Sequence, residues 1–221
     1  MSHGEEFKVM DCALISISTG EQAQNLRELR DRLKTTHPGC IYYHFWANLL
    51  GPRFDDPEFQ NDFAVWSWRY LHDKKLAEQL SLIDPAAYMD IEELRREIIE
   101  VIEQRLSESE IVPWARTGDQ FYFKRSQIVI FDTGIRVREP KEFVDVIPRL
   151  SLGTIFYHFI DARRRTENGK NDFSTWLGAY AGEYDGLIRV LDDIDPYFTT
   201  LSDLRREIAD VFDGSFLTNG G

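Results

Sequence analysis

The chain has 221 residues with a formal net charge of −12, and 43% of its residues are hydrophobic. This content is enough for a packed core and excludes a wholly disordered chain. So acidic a chain lacks the basic face that nucleic-acid binders need, and no apolar run approaches the ~20 residues of a membrane span, so neither class is expected.

The N-terminal residues and the cysteines predict the compartment. Residues 1–6 lack the basic and apolar regions of a signal peptide. Cys12 and Cys40 are the two cysteines, so neither a disulfide framework nor a cysteine metal site is expected. We therefore expect a soluble, cytoplasmic protein.

The first predicted element is a strand, and helices follow it. The β-branched, apolar segment 14–18 indicates the strand, Thr19-Gly20 indicates a turn after it, and residues 7–9 could add a short partner strand. Apolar residues at helical spacing and capping residues then predict five helices. These helices are marked by Leu26 to Leu33, Ile41 to Phe45, Asn61-Asp62, Leu76 to Ile83 and Asp90 to Ile102.

The second half of the chain repeats this series in the same order. The segment 41–45, with His44 at its centre, returns 114 residues later around His158. The motif Asn-Asp-Phe-x-x-Trp at 61–66 returns 110 residues later at 171–176. A preserved order indicates a duplicated unit. We predict repeat units at 4–106 and 118–214, a linker at 107–117 and a flexible tail at 215–221.

The predicted fold class is α-rich α+β. Two pseudo-symmetric tandem repeats would each contain a short strand segment and about five helices. Because two short strand segments make little sheet on their own, we expect the strands of the two halves to pair in one small sheet.

The two repeated histidines are the candidate catalytic residues. His44 and His158 lie on apolar helix faces, and the Asn-Asp pair that follows each of them could supply a hydrogen-bond partner. One interpretation is an oriented general base, His44 with Asp62 or His158 with Asp172. The other is a buried histidine tied to a helix cap, and the residues favour it. A metal site is not expected, because each repeat has one shared histidine.

An arginine run is the candidate ligand-binding site. Arg163, Arg164 and Arg165 follow the second Tyr-His-Phe motif, where the first repeat has Leu-Leu-Gly. One interpretation is a solvated helix end, and the other is a clamp for phosphate or carboxylate, formed with Tyr157 and His158.

The Tyr-His-Phe and Asn-Asp-Phe-x-x-Trp motifs, together with the segment 155–165, also carry a family resemblance. From about Phe7 to Phe212 the chain resembles a bacterial family known only as a domain of unknown function. That family has no established activity, so the resemblance implies no catalytic role and no cofactor.

Two hypotheses follow. The first is a non-enzymatic binding or adaptor protein, whose pseudo-twofold groove takes an anionic small molecule (phosphorylated or carbohydrate-like) or an acidic protein partner, with self-association also expected. The second is a hydrolase or transferase that acts on a carbohydrate or phosphate ester through a His-Asp pair.

Overall fold

The computed structural model describes residues 5–50, 59–88, 90–108, 112–166 and 169–217. Two antiparallel strands, β1 (Phe7–Ala23) and β2 (Phe121–Val137), form the sheet. The helix-rich α+β class and the pairing of one strand from each half are therefore confirmed. The strands are longer than predicted, because the expected partner segments are continuous with them.

The Thr-Gly pairs lie inside the strands, so the prediction of a turn after each strand is wrong. Gly20 and Gly134 have φ angles of +78° and +79°, a region that glycine adopts without steric cost. The hydroxyl of Thr19 donates to a carbonyl of β2 at 2.8 Å, and that of Thr133 to a carbonyl of β1 at 2.6 Å. These bonds hold the distorted strand against its neighbour, so that it continues past the glycine.

The chain divides into two compact units, which differ from the predicted boundaries. One unit is Leu14–Gln127, and the other combines Met1–Ala13 with Ile128–Gly221. Each unit therefore contains part of both strands. The predicted boundaries at 106 and 118 follow the sequence repeat. In the compact units, by contrast, the first strand segment of each repeat belongs with the helices of the other repeat.

Five helices belong to unit 14–127. They are α1 (Leu26–Leu33), α2 (Pro38–Leu50), α3 (Asp62–Arg69), α4 (Lys74–Ser81) and α5 (Ile91–Glu108), with a 3₁₀ turn at Pro85–Ala87. Helix α4 packs against both α3 and α5. The predicted positions of these five helices are confirmed. Helical spacing from Phe63 and Trp66 predicts that Tyr70 is buried, but its side chain lies just beyond the end of α3 and is 39% exposed.

The other unit contains the remaining described helices. They are α6 (Phe143–Val146), α7 (Leu152–Ile155), α8 (Ala162–Arg165), α9 (Asp172–Leu177), α10 (Asp185–Asp192) and α11 (Leu201–Leu217). A π-helical segment, Phe156–Asp161, joins α7 to α8, and 3₁₀ turns lie at Pro140–Glu142, Ile147–Arg149 and Gly178–Tyr180. Because α11 reaches Leu217, the predicted tail is wrong for 215–217, and 218–221 lie outside the described residues.

The cores of the two units use the same contacts. In unit 14–127, Phe63 of α3 stacks on Phe121 of β2 with ring centroids 5.0 Å apart. In the other unit, Phe173 of α9 stacks on Phe7 of β1 at 5.3 Å. Burying a phenylalanine side chain contributes about 1.5–3 kcal/mol, so these four rings anchor each strand segment to the helices of its unit.

No helix within the described part of the chain combines the length and apolar character needed to cross a membrane.

Candidate functional site

His44 of α2 is held by hydrogen bonds at both ring nitrogens. Its Nδ1 lies 2.7 Å from Oδ2 of Asp62, so the predicted His-Asp contact is present. Its Nε2 accepts a hydrogen bond from the backbone N–H of Lys124 in β2 at 3.2 Å. Because Nε2 is the acceptor, the neutral ring carries its proton on Nδ1 and donates it to the carboxylate.

His158 has the same contacts in the other unit. Its Nδ1 lies 2.7 Å from Oδ2 of Asp172, and its Nε2 accepts from the backbone N–H of Met10 in β1 at 2.8 Å. Met10 and Lys124 are 114 residues apart, as are the two histidines. Each histidine therefore binds the strand that comes from the other sequence repeat.

This environment does not suit a general base. Both histidines are 3% exposed. The ring of Phe121 lies 4.6 Å from that of His44, and the ring of Phe7 lies 4.8 Å from that of His158. A general base needs a free lone pair within reach of the substrate, but the Nε2 lone pair of each ring already accepts a backbone N–H. The contacts favour the interpretation as buried, hydrogen-bonded histidines.

The arginine run is bonded to carboxylates of its own unit. Arg164 donates to Oδ1 of Asp161 at 2.9 Å, and Arg165 donates to Oδ2 of the same residue at 2.9 Å. Arg165 also donates to Asp172 at 2.9 Å. Asp161 is 1% exposed, so its buried charge is neutralised by the two guanidinium groups that follow it in the helix.

The other groups of the predicted ligand site are also engaged. The guanidinium of Arg165 lies over the ring of Tyr157 at 4.0 Å, and Arg163 donates to the carbonyl of Ile194 at 3.1 Å. Burial raises the pKa of Tyr157, although the nearby Arg165 opposes the shift. The structure thus brings Tyr157, His158, Arg164 and Arg165 into one network, in which the arginines bind protein groups.

A cleft with a volume of about 310 Å³ lies in unit 14–127. It is bordered by β1, by the segment between α1 and α2, and by β2. Its lining residues are Ile17, Ser18, Thr19, Glu21, Thr36, His37 and Arg125. A cavity of this size is at the lower end of the range for small-molecule sites.

The cleft contains two opposite charges that do not pair with each other. Arg125 makes no ion pair with any carboxylate of the described residues. Glu21 makes none with their arginines or lysines, and its Oε2 is buried without a hydrogen-bond partner among them. An unpartnered buried carboxylate oxygen is unfavourable in a folded protein.

Gly39 positions the arginine. A Cβ atom at Gly39 would lie 2.9 Å from Cγ of Arg125 and 3.0 Å from Nδ1 of His37. The aliphatic stem of Arg125 therefore lies directly against the start of α2. His37 Nδ1 accepts from the Gly39 N–H at 2.9 Å, which leaves Nε2 of the neutral ring as a donor.

The sequence repeat makes these residues distinctive. The positions 114 residues away from Glu21, Thr36, His37 and Arg125 hold Ile135, Leu150, Ser151 and Asp11. The other compact unit thus has none of these four side chains at the equivalent positions, so the fold does not require them. Sequence patterns such as helical spacing do not single them out, but comparing the two copies position by position does.

The described residues contain no group of three or more histidine, cysteine, aspartate or glutamate side chains arranged to hold a metal ion. Both cysteines are free and buried. Burial, followed by the charge of Asp11, raises the pKa of Cys12 to about 12, and burial also raises the pKa of Cys40.

We expect Cys12 to resist alkylation in the folded protein. A rise in its thiol pKa from 9.0 to about 12 lowers the thiolate fraction at pH 8 by about a thousandfold, and the thiolate is the nucleophile. Iodoacetamide labelling followed by peptide mass spectrometry, with the denatured chain as control, measures the ratio of rates. A folded rate above one tenth of the denatured rate would contradict the expectation.

A solved structure described as that of OrfY from Thermoproteus tenax is similar to this chain. The TM-score is 0.84 at 28% sequence identity, and the match covers 96% of this chain and 97% of that one. No curated protein matches at a significant level. The family match extends over residues 4–213, so the chain belongs to the family of unknown function DUF5752.

Proposed function

We propose that this protein binds a small molecule and is not an enzyme, and that the anionic group of its ligand is bound by Arg125 in the cleft of unit 14–127. The observation that supports this proposal is that Arg125 lines the cleft and that its guanidinium has no carboxylate partner among the described residues. Guanidinium binds carboxylate or phosphate through two parallel hydrogen bonds.

The proposal also draws on the duplication. The other compact unit would serve as a scaffold, since it has Asp11 where unit 14–127 has Arg125. A catalytic role for His44 or His158 is not included, because both nitrogens of each ring are bonded within the protein.

The arginine run is the competing anion site. The side chain of Arg164 is 56% exposed although it is paired with Asp161. An anion there would compete with a buried carboxylate for the same guanidinium, which weakens its binding. The cleft is therefore the better-supported location, and mutants separate the two sites.

Thermal denaturation with millimolar inorganic phosphate, nucleotides, sugar phosphates, carboxylic acids and amino acids tests the proposal. We expect at least one compound to raise the melting temperature, because a ligand of the folded state stabilises it by mass action. Arg125→Met, which keeps the aliphatic stem against Gly39, should abolish the shift. Lys124→Ala is the matched control, because neighbouring strand residues point to opposite faces. A shift that survives Arg125→Met but is lost in Arg164→Ala would move the site to the arginine run.

A further inference from the structure

We propose that the ligand of the cleft is a small zwitterion of the amino-acid class, with its carboxylate at Arg125 and its ammonium group at Glu21. This inference rests on the proposed function and adds the chemical class of the ligand. It is carried by two opposite charges that line one cleft of about 310 Å³ and have no ion-pair partners among the described residues.

Arg125 supplies the carboxylate subsite. Its stem packs against Gly39, since a Cβ at Gly39 would come within 2.9 Å of its Cγ. The free ring nitrogen of His37, whose Nδ1 is bonded to the Gly39 N–H, lines the same cleft and can donate a further hydrogen bond. A planar fork with an adjacent N–H donor is suited to a carboxylate.

Glu21 supplies the ammonium subsite. Its Oε2 is buried and has no hydrogen-bond partner among the described residues. Glu21 lines the cleft, and a charged donor from the ligand would form a charge-assisted hydrogen bond with its carboxylate. Glu21 has no equivalent in the second copy, where the position holds Ile135, so its carboxylate is not required by the fold.

The balance of charge selects a zwitterion over a dianion. One guanidinium and one carboxylate give the cleft no net charge, so the complementary ligand also has separated charges that sum to zero. A phosphate dianion bound at Arg125 would face the Glu21 carboxylate across the same small cleft, and like charges brought together in this way oppose binding.

Thr36 is a further polar residue that lines the cleft. Thr36 is 3% exposed, and its Oγ1 has no oxygen or nitrogen partner among the described residues, although the Cys40 thiol lies beside it. Leu150 occupies the equivalent position of the second copy.

Isothermal titration calorimetry with the twenty L-amino acids, one at a time, tests the inference on the full chain. For each amino acid that binds, the matching decarboxylated amine and deaminated acid are titrated as well. We expect each of these to bind at least tenfold more weakly than the amino acid. Glu21→Gln and Arg125→Met should each weaken the amino acid at least tenfold, and Lys124→Ala should leave its affinity unchanged.

Inorganic phosphate and dicarboxylates are titrated in parallel to separate this inference from the proposed function. In one outcome, such a dianion binds the wild-type protein, does not bind the Arg125→Met variant and binds the Glu21→Gln variant more tightly, while no amino acid binds. The zwitterion assignment is then wrong and the anion-binding function stands. Amino-acid binding that is unaffected by both cleft mutations also overturns the assignment. If none of these compounds binds the wild-type protein, the zwitterion assignment fails, and the anion-binding function fails with it only when the nucleotides and sugar phosphates of the thermal screen also give no shift.

Discussion

Replacing either buried histidine by alanine is expected to destabilise the protein by about 1–3 kcal/mol, which lowers the melting temperature by several degrees in a chain of this size. His44→Ala removes the acceptor of the Lys124 N–H and the donor to Asp62, and it leaves a void among aromatic rings. His158→Ala removes the equivalent bonds to Met10 and Asp172. Because the environments match, the two losses should be similar.

Two further variants separate the hydrogen bond from general damage. His44→Gln keeps an acceptor near the position of Nε2 and should lose less stability than His44→Ala. Lys124→Ala changes an exposed side chain but keeps the N–H that His44 accepts, so it should have little effect. Melting temperatures that are unchanged or raised in both histidine variants would favour functional histidines, since functional residues often reduce stability.

The contact between each histidine and its aspartate can be predicted from sequence, because both residues belong to motifs that recur in the same order. The backbone donors at Lys124 and Met10 cannot, since each lies in the strand of the other repeat, 80 and 148 residues from its histidine. Local periodicity carries no information about such an exchange of strands. For the same reason the predicted boundaries differ from those of the compact units.

The ion pairs of the arginine run can be predicted from the sequence, because they depend on residues that are close together along the chain. Asp161 precedes Arg164 and Arg165 by three and four residues, the spacing at which helical side chains meet. The structure forms both of these ion pairs. The arginine run has no counterpart in the first repeat. Asp161, whose carboxylate pairs with Arg164 and Arg165, has no counterpart there either.

The cleft could be predicted only in part. Glu21, His37 and Arg125 come from β1, the end of a loop and β2, and the pairing of the strands brings them together. Each of them also breaks the repeat, so a comparison of the copies marks them as candidates without showing that they share a site. The absence of a partner for Arg125 depends on three-dimensional packing, which spacing does not reveal.

The two equivalent glycines Gly39 and Gly153 are expected to respond very differently to substitution by alanine. A Cβ at Gly153 would overlap the carbonyl oxygen of Cys12 and a side-chain oxygen of Asp11. The carbonyl belongs to β1 and cannot move without shifting the strand. Gly153→Ala should therefore cost about 3 kcal/mol, the upper end for overpacking, and lower the melting temperature by roughly 6–12 °C.

Gly39→Ala meets only the side chains of Arg125 and His37. These side chains can rotate away, and alanine favours the helix by up to about 1 kcal/mol, so the melting temperature should change little. Because the Arg125 stem must move, Gly39→Ala should instead weaken binding of any ligand in the cleft. Calorimetric melting of both variants, with titration of the Gly39→Ala protein, checks the pair. Equal destabilisation by the two substitutions would contradict this expectation. It would show that strand backbone, and not the movable side chain of Arg125, limits the space at Gly39.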